Sequence, residues 1–233
     1  EIEPLLVSSD PNFRPSDLEI GGDGALYVSD WHNVLIGHMQ HNMRDPNRDH
    51  EHGRIYRITA KGRKLLEPAR LKEKPVAEVC QHLLAPTNSV RYRARIEMSG
   101  RDTSEVVSTI EKFAAGLTPQ NALPAQDEAQ ALLECLWVLE EHRQPNTTLL
   151  KKVYEAHEPR VRAAAIRTLG HWAGQIDGWQ SILQSAARDA SPLVRAEAVK
   201  AAACFPKYPA SEVILEVASR PVDPELNTVI RYA

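Results

Sequence analysis

Cysteine is scarce in this chain: 233 residues carry three, Cys80, Cys135 and Cys204. No two of them form a C-x-x-C pair, which excludes a zinc ribbon, a paired redox centre and a C-x-x-C-H haem attachment within these residues. Each lies in a helical pattern with apolar neighbours, so all three read as buried free thiols. Charge of one sign is also lacking. The formal net charge is -3 and the pI is near 6.3, which leaves no general attraction to nucleic acid or to an anionic membrane. No apolar run approaches the roughly 18 residues that a membrane-spanning helix needs, and no basic-then-apolar leader opens the chain. A phosphate loop, a nucleophile elbow, a Cys/His dyad and an EF-hand loop are all missing. Gly21-Gly22-Asp23-Gly24 is a turn without the following helix of a nucleotide fingerprint. The chain starts at Glu1 without an initiator Met and stops at Ala233 within a helical pattern, so it reads as a piece of a longer protein.

What is present is the composition of a globular protein, 42% hydrophobic and 25% charged, in two differently patterned parts. Residues 16–20 and 25–29 alternate polar and apolar side chains around Gly21-Gly22-Asp23-Gly24, whose glycines are expected to supply the positive φ values of a tight hairpin. Residues 54–59 make a third short strand. The apolar run at residues 4–9, closed by Asp10-Pro11-Asn12, suggests an outer strand. Two or three strands alone are marginal in water, so this part is expected to need further strands or helices. Between the second and third strands, residues 31–53 hold five of the nine histidines.

Residues 61–75 are charged and broken by Gly62, Pro68 and Pro75, and read as a linker. From Val76 the hydrophobic period changes from two to about 3.6. Pro159, Pro192 and Pro224 recur 33 and 32 residues apart, each at a helix start, where the missing N–H costs nothing. Thr87-Asn88-Ser89-Val90-Arg91 is a weaker copy of the same turn. Apolar and small residues follow at helical spacing (Val161, Ala164, Ala165, Leu169; Val194, Ala198, Ala201, Ala202), and the alanines let neighbouring helices approach closely. The pattern resembles HEAT repeats, with about five helix pairs near residues 76–99, 104–142, 146–173, 177–205 and 209–233. Val161, Ile166, Leu169, Val194, Val199 and Leu215 are expected between helices. Trp137, Trp172 and Trp179 are expected in the core.

The strand segment carries a second, more specific resemblance. Arg14-Pro15, Asp23-Gly24-Ala25-Leu26-Tyr27-Val28, Ile36-Gly37-His38 and Gly53-Arg54-Ile55-Tyr56-Arg57 look like the last blade of the large membrane-bound dehydrogenases of planctomycete-type bacteria. Gly22 stands where that pattern usually has proline. Those proteins are similar to glucose/sorbosone dehydrogenases: a β-propeller, then HEAT repeats, and often a c-type cytochrome domain. The resemblance implies an α+β chain by segment, with a terminal propeller blade at residues 1–60, a linker at 61–75 and a HEAT-like α-solenoid at 76–233. It implies an extracytoplasmic parent that oxidises a sugar or alcohol and passes electrons to a haem domain. Pyrroloquinoline quinone and haem c would be the parent's cofactors, with none assignable here. The partners would be the remaining blades and the downstream domain.

Candidate chemistry concentrates in the histidine-rich loop. His38, His41, His50 and His52, with Asp45 and Asp49 between them, have the residue types and spacing to ligate zinc, iron or copper. His38, His41, Asp30 and Arg48 are the candidates for contact with substrate or cofactor, because propeller active sites lie where such loops converge on the central channel. Trp31 faces either that channel or the core. The competing reading is structural, with Asp45, Arg48 and Asp49 pinning the loop through ion pairs and backbone hydrogen bonds. Arg160, Arg162 and Arg195 read as partners of turn carboxylates and helix ends, with ligand binding as the alternative. A non-catalytic scaffold, holding a protein or polysaccharide on a concave helical face, is the alternative to a section of an enzyme.

Overall fold

A computed structural model describes residues 3–33, 46, 49–118, 128–205 and 210–232. The chain divides into two compact units, Glu1–Arg70 and Leu71–Ala233. No helix among the described residues is long and apolar enough to cross a membrane.

The first unit is built on an antiparallel sheet in the order β1 (Pro15–Ile20), β2 (Leu26–Asp30), β3 (Arg54–Ile58). In the hairpin, the amide of Gly21 donates to Ala25 O and that of Gly24 to Gly21 O, both at 2.9 Å. Of the three glycines expected to need a positive φ, only Gly24 has one, at 76°. Gly21 serves close approach instead, since a Cβ there would lie 2.5 Å from Tyr27 Cε2. Register pairs Leu18 with Val28 with Tyr56, and Ile20 with Leu26 with Ile58, so alternation gathers the apolar side chains on one face. That face floors a groove of about 540 Å³ whose lining includes Leu5, Leu6, Phe13, Leu18 and Val28. The strand expected at residues 4–9 is not formed; the segment is irregular, and Leu5 and Val7 are exposed.

The second unit contains ten helices among its described residues. They are α1 (Val76–Gln81), α2 (Asn88–Ser99), α3 (Thr103–Ala115), α4 (Glu128–Glu141), α5 (Thr147–Tyr154), α6 (Pro159–His171), α7 (Trp179–Ala187), α8 (Pro192–Ala202), α9 (Ala210–Ala218) and α10 (Pro224–Tyr232). Start signals explain much of this: Pro159 and Pro192 occupy the first turns of α6 and α8, while Asp102 and Asn146 cap α3 and α5 by accepting from the amides of Glu105 and Leu149. Even-numbered helices pack in one continuous series, α2 on α4, α4 on α6, α6 on α8 and α8 on α10. The α6/α8 contact is the most extensive, and small residues make it so. A Cβ added at Gly170 would stand 3.1 Å from Ala201 Cα.

The core follows the expected stripes, with corrections. Val161, Ile166, Leu169, Val194 and Val199 are buried, but Leu215 is 70% exposed, because α9 turns Val213 and Val217 inward and Leu215 lies two positions round from each. Cys80 and Cys135 are buried free thiols, whereas Cys204 is exposed. Burial pushes the Cys80 thiol up to about 11, which keeps it protonated and inert near neutrality. Trp172 is buried, Trp179 is half-buried and stacks on Phe205 at 4.0 Å, and Trp137 is half-buried beneath the guanidinium of Arg95 at 4.8 Å.

Candidate functional site

Within the first unit the polar groups meet at the end of β2 where the chain leaves the sheet. Asp30 is the last residue of β2 and pairs across the register with Arg54, the first residue of β3. Its carboxylate is buried and both oxygens are engaged: Oδ1 accepts from the amides of Arg14 at 2.8 Å and His32 at 2.9 Å, and Oδ2 accepts from Arg54 Nε at 2.9 Å and the Tyr56 hydroxyl at 3.4 Å. Burial alone would raise its pKa, but those two amides and the guanidinium together hold it below the ordinary carboxylate value. Arg54 also reaches Asp10 at 2.5 Å, and Asp10 accepts from the amide of Asn12. The guanidinium therefore ties the segment before β1 to the ends of β2 and β3.

A second cluster continues from this one. His32, at a φ of 54°, brings its Nε2 to 3.4 Å from Asp49 Oδ2, and His52 Nδ1 lies 2.9 Å from the same oxygen. Asp49 Oδ1 accepts from the amides of Glu51 and His52. The Glu51 amide, with the His52 contacts, brings the Asp49 pKa down to about 2. His50 is exposed. At the opposite end of the sheet Asp23 plays the part of Asp30. It accepts from the Ala25 amide and the Tyr27 hydroxyl and is gripped by Arg57.

Of the residues singled out by sequence, the structure thus brings Asp30 into a buried ion pair and joins Asp49 to His52, while Trp31 is 61% exposed and not in a core. His38, His41, Asp45 and Arg48 lie outside the described residues. Among the described residues no group of three His, Cys, Asp or Glu side chains is arranged to hold a metal ion. Sequence reasoning missed Asp10, His32 and Arg54 as members of this network. Arg54 is a strand and motif residue in the sequence, and its partners stand 24 and 44 residues away, a separation that the β2–β3 register closes for Asp30.

Chemically, these arrangements are clamps. Asp23 and Asp30 each accept from a backbone amide, a tyrosine hydroxyl and an arginine of β3, which stabilises the charged carboxylate and makes it a poor base. The motif residues Asp23, Tyr27, Arg54, Tyr56 and Arg57 are accounted for by those two clamps.

In the helical unit the repeated polar feature is an arginine in the first turn of the second helix of a pair. Arg91, Arg162 and Arg195 each point Nη1 at the two carbonyls five and six residues before them. These contacts staple each helix start to the end of the preceding turn, and with the stacking of α2, α4, α6, α8 and α10 they make a repeat array. Residues 146–233 match the family of HEAT repeats. Residues 2–62 match a domain of unknown function, DUF7133. No curated protein and no solved structure matches the chain. The chain is therefore a three-stranded antiparallel sheet unit followed by a helical unit whose residues 146–233 match HEAT repeats.

Proposed function

We propose that this chain is a structural and interaction-bearing section of a larger protein, its HEAT-repeat unit presenting a helical surface to a protein partner. The observation that carries the reading is the saturation of Asp30: its two oxygens take four hydrogen-bond donors, so the best-placed acid of the first unit holds the sheet together and is not available as a base. A solenoid whose repeats are stabilised by their neighbours suits the second role, since it offers an extended surface instead of a closed pocket.

The setting we propose is an extracytoplasmic sugar or alcohol dehydrogenase of the kind the strand motifs resemble, with remaining propeller blades packing near this sheet. The apolar groove over Leu18 and Val28 supports that setting, because an open apolar sheet face of this size is what further elements would cover. Pyrroloquinoline quinone and haem c would be carried by other parts of such a parent. The buried thiols Cys80 and Cys135 lie in separate helices and offer no paired attachment for a haem. The second reading, a non-catalytic scaffold for a protein or polysaccharide, shares the helical surface and drops the dehydrogenase parent.

Dye-linked oxidation assays on the chain, across sugars and alcohols and with or without added quinone, test the assignment. No turnover is expected, and Asp30→Asn is expected to lower the melting temperature of the sheet unit. Turnover that disappears in Asp30→Asn while the melting temperature holds would overturn it.

A further inference from the structure

The three equivalent arginines are not equally satisfied. Beyond the shared Nη1 staple, Arg91 donates from Nε to Glu134 Oε1 at 2.9 Å. Arg162 grips Asp189 with Nε and Nη2 at 2.8 and 2.9 Å. In both cases the carboxylate comes from the following repeat. Arg195 is 4% exposed, gives Nη2 to the carbonyl of Pro221 at 2.6 Å, and leaves Nε–H with no acceptor among the described residues. At the spacing that separates Asp189 from Arg162, 27 residues, the chain after Arg195 has Val222.

Arg195 lines a hollow of about 430 Å³ with Pro192, Arg220, Val222, Asp189 and Asp223. Of the two acids there, Asp189 is gripped by Arg162 and acts on Arg195 only through space, and Asp223 Oδ1 accepts from the amide of Leu226 at 2.7 Å without a hydrogen bond to Arg195 among the described residues. Arg220 stands 3.6 Å from Glu216. The hollow thus holds a buried guanidinium whose carboxylate the next repeat does not supply, in a chain that supplies it to both of the equivalent arginines. A buried N–H without an acceptor is costly, and a charged acceptor satisfies it better than a neutral one.

We propose that this hollow is a carboxylate-binding site and that its occupant is an acidic side chain on a peptide segment. The carboxylate would accept from Arg195 Nε, with Arg220 as the second cation of the hollow. Nε is itself buried, so an arriving oxygen would have to displace the non-helical stretch that holds Pro221 and Val222. The proposal deepens the scaffold reading and rests on it for the owner of the carboxylate.

The test is nuclear magnetic resonance of the Arg195 Nε–H signal in the full chain, identified by its loss in Arg195→Lys. A capped Gly-Glu-Gly peptide, its Gly-Gln-Gly analogue and sodium acetate are added at matched ionic strength. The Glu peptide is expected to move that signal with at least about tenfold tighter binding than the Gln analogue. Val222→Asp, which places a carboxylate at the Asp189 spacing, is expected to raise the melting temperature and abolish the peptide-induced shift, while Val222→Asn does neither. Acetate acting as strongly as the peptide supports the carboxylate site but assigns it to a free acid and withdraws its support from the scaffold reading. Peptide binding that leaves the Arg195 signal unmoved overturns the site and spares the scaffold reading. A signal unmoved by either probe, or a Val222→Asp chain that melts as the parent does, overturns the proposal.

Discussion

Arg54 and Arg57 lie three residues apart on β3, yet each closes a different end of the sheet, one onto Asp30 and the other onto Asp23. Sequence could name Asp30 as an acid at a strand end, but its role depended on register, and register between β2 and β3 spans the long histidine-bearing loop. Asp49 was legible as a pinning residue because its work is local, on amides two and three positions ahead. Its depressed pKa fixes the sign of a pH effect. A carboxylate held to about 2 against an ordinary 3.8 contributes its stabilisation fully above the ordinary value and loses it as pH falls toward 2. The amide signals of Glu51 and His52 are therefore expected to titrate with a midpoint near 2, and a midpoint near 3.8 would show that Asp49 does not hold them. In the helical unit Leu169 is fully buried, and Leu169→Ala is expected to cost about 2–5 kcal/mol in denaturant unfolding, the range for a buried leucine whose site collapses incompletely.

At the scale of elements, helices were the most legible part. Pro159, Pro192 and Pro224 mark the starts of α6, α8 and α10 as their spacing suggested. Less legible was which helix would be central. α8 packs on α6, α7, α9 and α10, and it can do so because Ala196, Ala198, Ala201 and Ala202 are all buried along its short length. Alanine at those positions was visible in the sequence, but a run of small residues does not say from how many sides neighbours will arrive. Leu215 shows the converse error, an apolar residue whose helix buries a different stripe. Gly170 lies where α6 meets α8, and a side chain there would meet Cα and Cβ of Ala201 at 3.1 and 3.2 Å. Gly170→Val is expected to force these helices apart and cost roughly 1–3 kcal/mol by overpacking; an unchanged unfolding midpoint would mean that the helices do not meet there.

At the scale of the whole molecule, the change of hydrophobic period near Val76 and the division of the chain at Arg70 have one physical origin. A two-residue period makes a sheet face and a 3.6-residue period makes a helix stripe, and each buries its apolar residues against its own kind. The sheet unit keeps an open apolar groove, while the helices bury their apolar stripes against one another, repeat by repeat. That account requires one continuous stack of even-numbered helices, centred on α8 and thinning at α10, whose described contact in the stack is with α8. Native-state amide hydrogen exchange across the chain measures this most directly. The account predicts the slowest exchange in α6 and α8, with α10 opening well before them. Exchange in α8 as fast as in α10 would contradict it.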